Sequence, residues 1–369
     1  MAPPHERHAR RLGLTLVEAD DFPIRRRKRG GGFRYVDGRT GRSPGRTARE
    51  RIEALAIPPA WRDVRCSDDG DAHILAVGED GDGRRQYVYN PRWTDVRDAV
   101  KAERLLRFGR ALPRLRERVA RDLRGDTGDR ATPLGLCRVS AAAARLIDRG
   151  AMRPGNEVTA LAGHRGATTL VRRNVKVSGD RVRLDYVGKS GREHGFTVRD
   201  RGVARVVRGL KCLPDAHRGR RRAKRERGRL FVYRAHDGRT RRLTAAKLNR
   251  YLAEAAGTEV SAKDFRTFVG SSAALEVLFE RREEGGTEAS ETARRRAVAA
   301  AVREASERLR NTPAVARSSY VMPIVVDAFE RGGLPDSLWK GPCRRGLDRA
   351  ETALMRLMES ALRRPAAAN

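Results

Sequence analysis

The sequence has 369 residues, enough for about two or three domains, each with a buried core. It carries 80 Lys plus Arg against 47 Asp plus Glu, a formal net charge of +33, and this excess indicates a polyanionic partner, above all nucleic acid. Hydrophobic residues make up 39%, and no apolar run approaches the roughly 20 residues that cross a bilayer, which excludes a membrane-spanning protein.

Residues 1–95 predict a small β-rich domain. The basic run Arg25–Arg29 precedes three glycines, and the pattern predicts short strands with a charged turn. Further apolar stretches at 57–61, 73–78 and 84–89 are bounded by Gly, Asp and Pro. Short apolar stretches separated by such turn-forming residues are typical of an antiparallel sheet.

Residues 96–369 predict a mainly α-helical domain with one small sheet, so the fold class is α+β. Apolar residues at helical spacing predict two helices between 95 and 124 and another over 141–147. Alternation with period two between Val175 and Val198 predicts a three-stranded meander. Ala-rich segments predict later helices at 245–256, 271–282, 291–309 and 346–362. The basic segment 218–228 predicts a solvated loop.

Several common sites are excluded by their spacing. The four cysteines, Cys66, Cys137, Cys212 and Cys343, form no Cys-x-x-Cys pair and are expected to be reduced thiols. Gly188-Lys189-Ser190 resembles the end of a phosphate-binding loop, but Arg183 stands where that loop needs a glycine. We therefore expect neither a metal nor a nucleotide cofactor. The charged N-terminus lacks a secretion signal, which predicts a cytoplasmic protein.

Five polar side chains stand in apolar or turn-forming surroundings: Arg153, Lys189, Arg266, Asn311 and Tyr320. Singly each is a weak signal, because most arginines of so basic a chain are solvated or steer phosphates. Together, two arginines, a lysine, an amide and a tyrosine are the groups required for transesterification at a phosphodiester without metal or nucleotide.

Short motifs follow one another along the chain: Ile57–Trp61, Gln86–Tyr89, Glu103–Gly109, Arg153–Glu157, Gly166–Leu170, Gly188–Gly191, Lys263–Thr267 and Asn311–Tyr320. Their order resembles that of the type IB DNA topoisomerases, in particular the bacterial and poxvirus-like branch. The resemblance implies the catalytic fold shared by tyrosine recombinases and these topoisomerases. It also implies relaxation of supercoiled double-stranded DNA through a transient 3′-phosphotyrosyl intermediate, without ATP or metal.

The resemblance also implies a role for each matching residue. Tyr320 is the expected nucleophile, Asn311 donates a hydrogen bond to a phosphate oxygen, and three side chains are catalytic cations: Arg153, Lys189 and Arg266. A protonated Lys189 fits the general acid that the leaving 5′-oxygen needs, because an alkoxide is very basic. One departure from the family follows Arg153, where Pro154 replaces the usual aliphatic or aromatic residue.

The residues expected to contact DNA are Gln86, Tyr87, Tyr89 and Lys263. Tyr87 and Tyr89 are two apart and share one face of a strand. We expect a monomer that acts on double-stranded DNA in the nucleoid. A tyrosine recombinase is one alternative, although Lys263 stands where recombinases usually have histidine. A non-enzymatic basic DNA-binding protein is another, but it does not account for the ordered motifs.

Overall fold

The computed structural model describes residues 2–125, 133–213, 228–285, 290–332 and 334–363. The chain divides into two compact units. One reaches Glu103 and includes Leu362 and Arg363, and the other runs from Arg104 to Ala361. The predicted α+β class is confirmed, with a β-rich first unit and a mainly helical second unit.

The first unit is built on a five-stranded antiparallel sheet. Its strands are β1 (Ile24–Arg29), β2 (Gly32–Asp37), β3 (Arg62–Cys66), β4 (Ile74–Glu79) and β5 (Arg85–Tyr89), in the order β2-β1-β3-β4-β5. Two helices accompany it, α1 (Pro4–Arg11) and α2 (Arg46–Ala54). Ile52 of α2 is buried in one cluster with Ile24, Val64 and Cys66 of the sheet. The predicted antiparallel sheet is confirmed.

The predicted short strands joined by a turn are confirmed, but the basic residues Arg25–Arg29 lie in a strand and not in the turn. The run is strand β1, paired residue by residue with β2, and the chain turns at Gly30, whose φ is +55°. A strand can be this basic because most of its side chains reach solvent. The side chain of Arg26 is instead fixed against the protein. It donates to the carbonyl of Trp61 at 2.6 Å, and its Cζ lies 4.2 Å from the centre of the Phe33 ring.

A single helix, α3 (Trp93–Arg124), replaces the two helices predicted between 95 and 124. Pro113 lies inside it. Proline lacks the N–H that would bond to the carbonyl of residue 109, so the helix has one backbone hydrogen bond fewer at this point. The helix nevertheless continues through Pro113, and one turn earlier it is closely packed, since a Cβ on Gly109 would meet Met355 and Phe268.

The second unit carries the predicted meander, β6 (Val175–Ser178), β7 (Arg181–Val187) and β8 (Glu193–Arg199), in that order. The small pair β9 (Val232–Arg234) and β10 (Thr240–Arg242) forms a second sheet. The helices that follow α3 along the chain are α4 (Leu136–Gly150), α5 (Glu157–Leu161), α6 (Arg201–Cys212), α7 (Ala245–Ala256), α8 (Ala262–Gly285), α9 (Glu291–Leu309), α10 (Pro313–Ser319), α11 (Pro323–Glu330), α12 (Asp336–Lys340) and α13 (Arg349–Arg363).

The Ala-rich segments predicted as helices are confirmed, and α8 begins well before its predicted start at residue 271. Short elements such as α10 and the β9–β10 hairpin were not predicted, because each offers too few residues for a period to be read. The basic segment predicted as a solvated loop, 218–228, lies outside the described residues apart from Gly228.

Candidate active site

Tyr320 follows helix α10, at its C-terminal cap. The helix begins because the Thr312 side chain accepts a hydrogen bond from the Val315 N–H and Pro313 occupies its first turn. The Tyr320 carbonyl accepts a hydrogen bond of 3.1 Å from the hydroxyl of Ser271 on α8. Tyr320 is only 9% exposed and packs against Ala151 and Leu309. The backbone of the phenol-bearing residue is therefore fixed to two helices.

Arg266 lies on α8 and is 3% exposed. Phe265 and Phe268 on either side of it pack edge-on against Phe108 of α3, at 4.9 and 5.5 Å between ring centres. This aromatic contact sets the rotation of α8 and directs Arg266 into the interior. Its guanidinium donates to the carbonyls of Ala151 and Leu309 and lies with its Cζ 4.7 Å from the Tyr320 ring centre.

Arg153 follows the end of α4, where Ala151 adopts a left-handed φ of +46°. The Arg153 carbonyl accepts from the Ala167 N–H at 2.8 Å, and the Pro154 carbonyl accepts from the N–H and the hydroxyl of Thr168, both at 2.8 Å. These bonds hold the backbone around the unusual proline. The Arg153 Cζ lies 5.9 Å from the Tyr320 ring centre.

Asn311 joins the two arginines. Its Oδ1 accepts from Arg153 at 2.9 Å and from Arg266 at 3.2 Å. The paired donors fix the orientation of the amide, because only its oxygen can accept. The Nδ2 is buried, and within the described ranges it has no hydrogen-bond partner. The amide therefore has a donor left to offer to a further acceptor.

Lys189 lies at the tip of the β7–β8 hairpin, as predicted, and is exposed. The hairpin closes with a 2.7 Å hydrogen bond from the Gly188 N–H to the Arg192 carbonyl. His194 of β8 fills the space beside Gly188, since a Cβ there would lie 2.2 Å from the His194 Nε2. Its ring stacks on Tyr186, with 5.0 Å between ring centres.

Lys189, Arg153 and Arg266 border one small cleft of the second unit. The other side chains that line it include Arg165, Tyr186, His194 and Arg310. None of the lining residues carries a carboxylate. Since Tyr320 contacts two of the arginines of this cleft, the five predicted side chains belong to one neighbourhood of strong positive potential.

This positive potential affects the pKa of Tyr320, the candidate nucleophile. Burial raises the pKa of Tyr320, but the charge of Arg266 and its hydrogen bond to the phenol lower it, and Arg153 and Lys263 lower it further. The net pKa lies below the ordinary value of tyrosine. Positive neighbours stabilise the phenolate, which is the form that attacks phosphorus.

His194 and Arg310 were missed by the sequence analysis. Burial lowers the pKa of His194 to about 4, together with the charges of four arginines, Arg310, Arg266, Arg153 and Arg192. The ring is therefore neutral at physiological pH. His194 is five residues after Lys189 and Arg310 directly precedes Asn311, so closeness to predicted site residues was the one signal that the sequence offered.

The residues predicted to contact DNA differ in their surroundings. Tyr87 and Tyr89 are 37% and 42% exposed on one face of β5, with 5.9 Å between their ring centres. Gln86 points to the other face and donates to Asp80 at 2.7 Å. Lys263 is exposed in the first turn of α8. The two tyrosines thus present an accessible aromatic pair, whereas Gln86 is engaged within the first unit.

Groups of three or more His, Cys, Asp or Glu that could hold a metal ion do not occur among the described residues. In the same part of the chain, no helix has both the length and the apolar character needed to cross a bilayer.

Comparisons with known proteins agree on one family. Residues 90–324 match the family described as the catalytic core of eukaryotic DNA topoisomerase I, and residues 32–80 match the N-terminal domain of bacterial DNA topoisomerase IB. A curated relative, DNA topoisomerase 1B of Acanthamoeba polyphaga mimivirus, is 30% identical over 286 residues. That match covers 76% of this chain and 80% of the relative.

Proposed function

The chain belongs to the type IB DNA topoisomerases, and on this premise we propose that Tyr320 cleaves one DNA strand and becomes linked to its 3′ phosphate. The observation that carries the proposal is the contact of the Tyr320 ring with Arg266 and Arg153, which share Asn311 as acceptor. A tyrosine recombinase and a non-enzymatic DNA-binding protein, the alternatives from the sequence, are not favoured.

In the cleavage step, the phenolic oxygen of Tyr320 forms a bond to phosphorus while the bond from phosphorus to the 5′-oxygen breaks. The phenolic proton leaves to solvent. Lys189 donates a proton to the departing 5′-oxygen, because an alkoxide is far too basic to leave unassisted. One phosphodiester is exchanged for another, so the bond energy is kept and no nucleotide is consumed.

Arg153, Arg266 and Asn311 stabilise the transition state. Negative charge grows on the non-bridging oxygens as Tyr320 attacks, and two planar guanidinium groups are suited to bind them. The free Nδ2 of Asn311 supplies a neutral donor beside them. Removing one such preorganised donor costs about 10²-fold or more in rate.

Relaxation follows while the strand is open. Stored twist rotates the free 5′ end about the intact strand, and the 5′-hydroxyl then attacks the phosphotyrosine. Lys189 takes back the proton in this reverse reaction, since the same group must serve both directions. The strand is resealed and Tyr320 is regenerated.

DNA binding rests on the charge of the whole chain, +33. The N-terminal unit contacts DNA through Tyr87 and Tyr89, and Lys263 contacts it beside the cleavage site. If about ten phosphates are neutralised, the log–log dependence of affinity on salt has a slope of about −9. The enzyme acts as a monomer, since one chain supplies all five proposed catalytic residues, and it works on cytoplasmic, nucleoid DNA.

The test is relaxation of a plasmid without ATP and with a chelator present, followed by detergent trapping. We expect relaxation and a covalent adduct, with mass spectrometry identifying Tyr320 in the DNA-linked peptide. A plasmid that stays supercoiled overturns the relaxation activity. An adduct on another residue, or on the 5′ end, overturns the proposed chemistry.

A further inference from the structure

Arg310 ends helix α9 in a conformation that arginine rarely adopts. Its φ is +53°, in the left-handed region where glycine is the default residue. The backbone N–H of Arg310 donates to the Glu307 carbonyl at 3.1 Å. This bond needs no side chain, so glycine would cap the helix equally well. A side chain in this region costs free energy, and such positions cluster at functional sites. The arginine side chain therefore calls for an explanation of its own.

The side chain of Arg310 is held on the wall of the active-site cleft. Its Nη1 donates to the carbonyl of Gly150, the last residue of α4, at 2.6 Å. Its Cζ lies 4.1 Å from the centre of the Phe196 ring on β8. These contacts fix the guanidinium between α4 and β8, and within the described ranges the Gly150 carbonyl is the one hydrogen-bond acceptor of this side chain.

The charge of Arg310 is not balanced within the cleft. No ion pair to Arg310 occurs among the described residues, whereas neighbours such as Arg308 bond to Glu304 and Glu276. The other charged residues that line the cleft are also cations, Arg153, Arg165, Lys189 and Arg266. Like charges gathered in a partly buried site repel one another, and a bound anion relieves that repulsion. The cleft is therefore built for an anion.

We propose that Arg310 is a further phosphate-binding cation of the active site, which contacts a non-bridging oxygen of the scissile phosphodiester together with Arg153 and Arg266. This inference rests on the proposed function. Guanidinium N–H groups suit a phosphate oxygen, and a charge-assisted hydrogen bond in a partly buried site is strong.

The neutral state of His194 agrees with this assignment. Arg310 is the first of the charges that add to burial in lowering the pKa of His194. The imidazole thus remains uncharged and stacked on Tyr186, and it does not compete with the phosphate for the cations.

The test uses Arg310→Gly, which removes the cation and places at this φ the residue that tolerates it best. Substrates are duplexes that carry the cleavage site mapped for the wild-type protein. We expect a single-turnover rate of adduct formation about 10-fold to 100-fold lower, the loss of one charge-assisted hydrogen bond. Arg310→Lys should recover part of the rate. Arg303→Ala, an exposed arginine on the same helix, should leave it unchanged.

A methylphosphonate at the scissile linkage separates binding of phosphate from support of the fold. This linkage lacks the negative charge, so the rate defect of Arg310→Gly should shrink on it. A defect of equal size on both linkages makes Arg310 a structural residue and overturns the proposal, as does an unchanged rate on ordinary DNA. If Arg310→Gly does not fold, Arg310→Asn gives the same comparison, because asparagine also tolerates positive φ. A wild-type protein that forms no adduct refutes the proposed function instead.

Discussion

The Cζ of Arg266 lies 4.7 Å from the centre of the Tyr320 ring. Arg266 is almost completely buried, and the Ala151 and Leu309 carbonyls fix its guanidinium. The charge is thus placed before DNA arrives and needs no reorganisation during the reaction, the condition under which electrostatic stabilisation is most effective. In the proposed mechanism, Arg266 acts on two species: the attacking phenolate and the non-bridging oxygens that gain negative charge in the transition state.

Tyr320→Phe removes the phenol and keeps the ring. We expect DNA affinity within about twofold of wild type, because phosphate contacts dominate affinity, and no detergent-stable adduct. Fluorescence anisotropy and denaturing gels measure the two quantities. Packing against Leu309 is retained in this variant, so its unfolding midpoint serves as the control. An adduct at normal yield would place the nucleophile elsewhere.

Lys189→Ala removes the proposed general acid. Cleavage should slow by about 10²-fold, within the usual range for positioned proton donors. A substrate with a 5′-bridging sulfur should restore most of the rate, because a thiolate leaves without a proton. The same sulfur substrate should not rescue Arg266→Ala, which is the matched control. Equal rescue of both variants, or of neither, would remove Lys189 from the role of acid.

Asn311→Leu keeps the size of the side chain and removes the acceptor shared by Arg153 and Arg266. Both guanidinium groups lose a partner, and the phosphate loses a donor. We expect cleavage about 10²-fold slower with little change in affinity. Asn311→His retains a donor and should keep much of the activity. Comparable single-turnover rates for Asn311→Leu and wild type would show that Asn311 neither orients the arginines nor binds phosphate.

The sequence predicted the inventory of the site better than its arrangement. Tyr320, Arg266 and Asn311 were identified by motif order, and the structure brings them into contact. The sharing of one amide oxygen by two arginines could not be predicted, because it depends on the meeting of α4, α8 and α9. No sequence feature distinguished Arg310 from the other Lys and Arg residues, which number 80 in all. Its positive φ is visible only in the folded chain.

Helices and strands were predictable where the periodicity of hydrophobic residues extended over enough of the sequence. The β6–β8 meander and helices α7 and α9 follow their patterns closely. The charged strand β1 and the continuous helix α3 did not follow theirs. In β1 the arginines reach solvent or bond to carbonyls, and α3 continues through Pro113 in a stretch where Gly109 is closely packed against Met355 and Phe268. Tertiary contacts of this kind leave no local signature.

Gly188→Ala tests how closely the Lys189 hairpin is positioned. The Gly188 φ of −92° is open to alanine, but the new Cβ would lie 2.2 Å from the His194 Nε2. The ring or the hairpin must move, and a shift of about 1 Å at a catalytic group costs about 10²-fold. Gly81→Ala, where the added Cβ meets nothing within 4 Å, is the control.

The double variant Gly188→Ala/His194→Ala removes the ring that the new methyl group meets. Its cleavage rate should exceed that of Gly188→Ala alone. If the double variant is no faster, the defect has another origin than displacement of the hairpin. If Gly188→Ala itself cleaves at the wild-type rate, the contact with His194 does not position Lys189.

His194→Gln tests the electrostatics of the cleft through stability. The pKa of His194 is lowered from 6.5 to about 4, first by burial and then by the surrounding arginines. Between these values the unfolded chain binds a proton that the folded protein does not, so this histidine makes the fold less stable as pH falls from 6.5 towards 4. Glutamine removes that contribution. Urea unfolding should therefore show a free energy of unfolding for His194→Gln that rises relative to wild type below about pH 6.5 and runs parallel above it. His236→Gln, at an exposed histidine, is the control, and parallel curves for His194→Gln and wild type across the whole range would contradict a neutral, cation-surrounded imidazole.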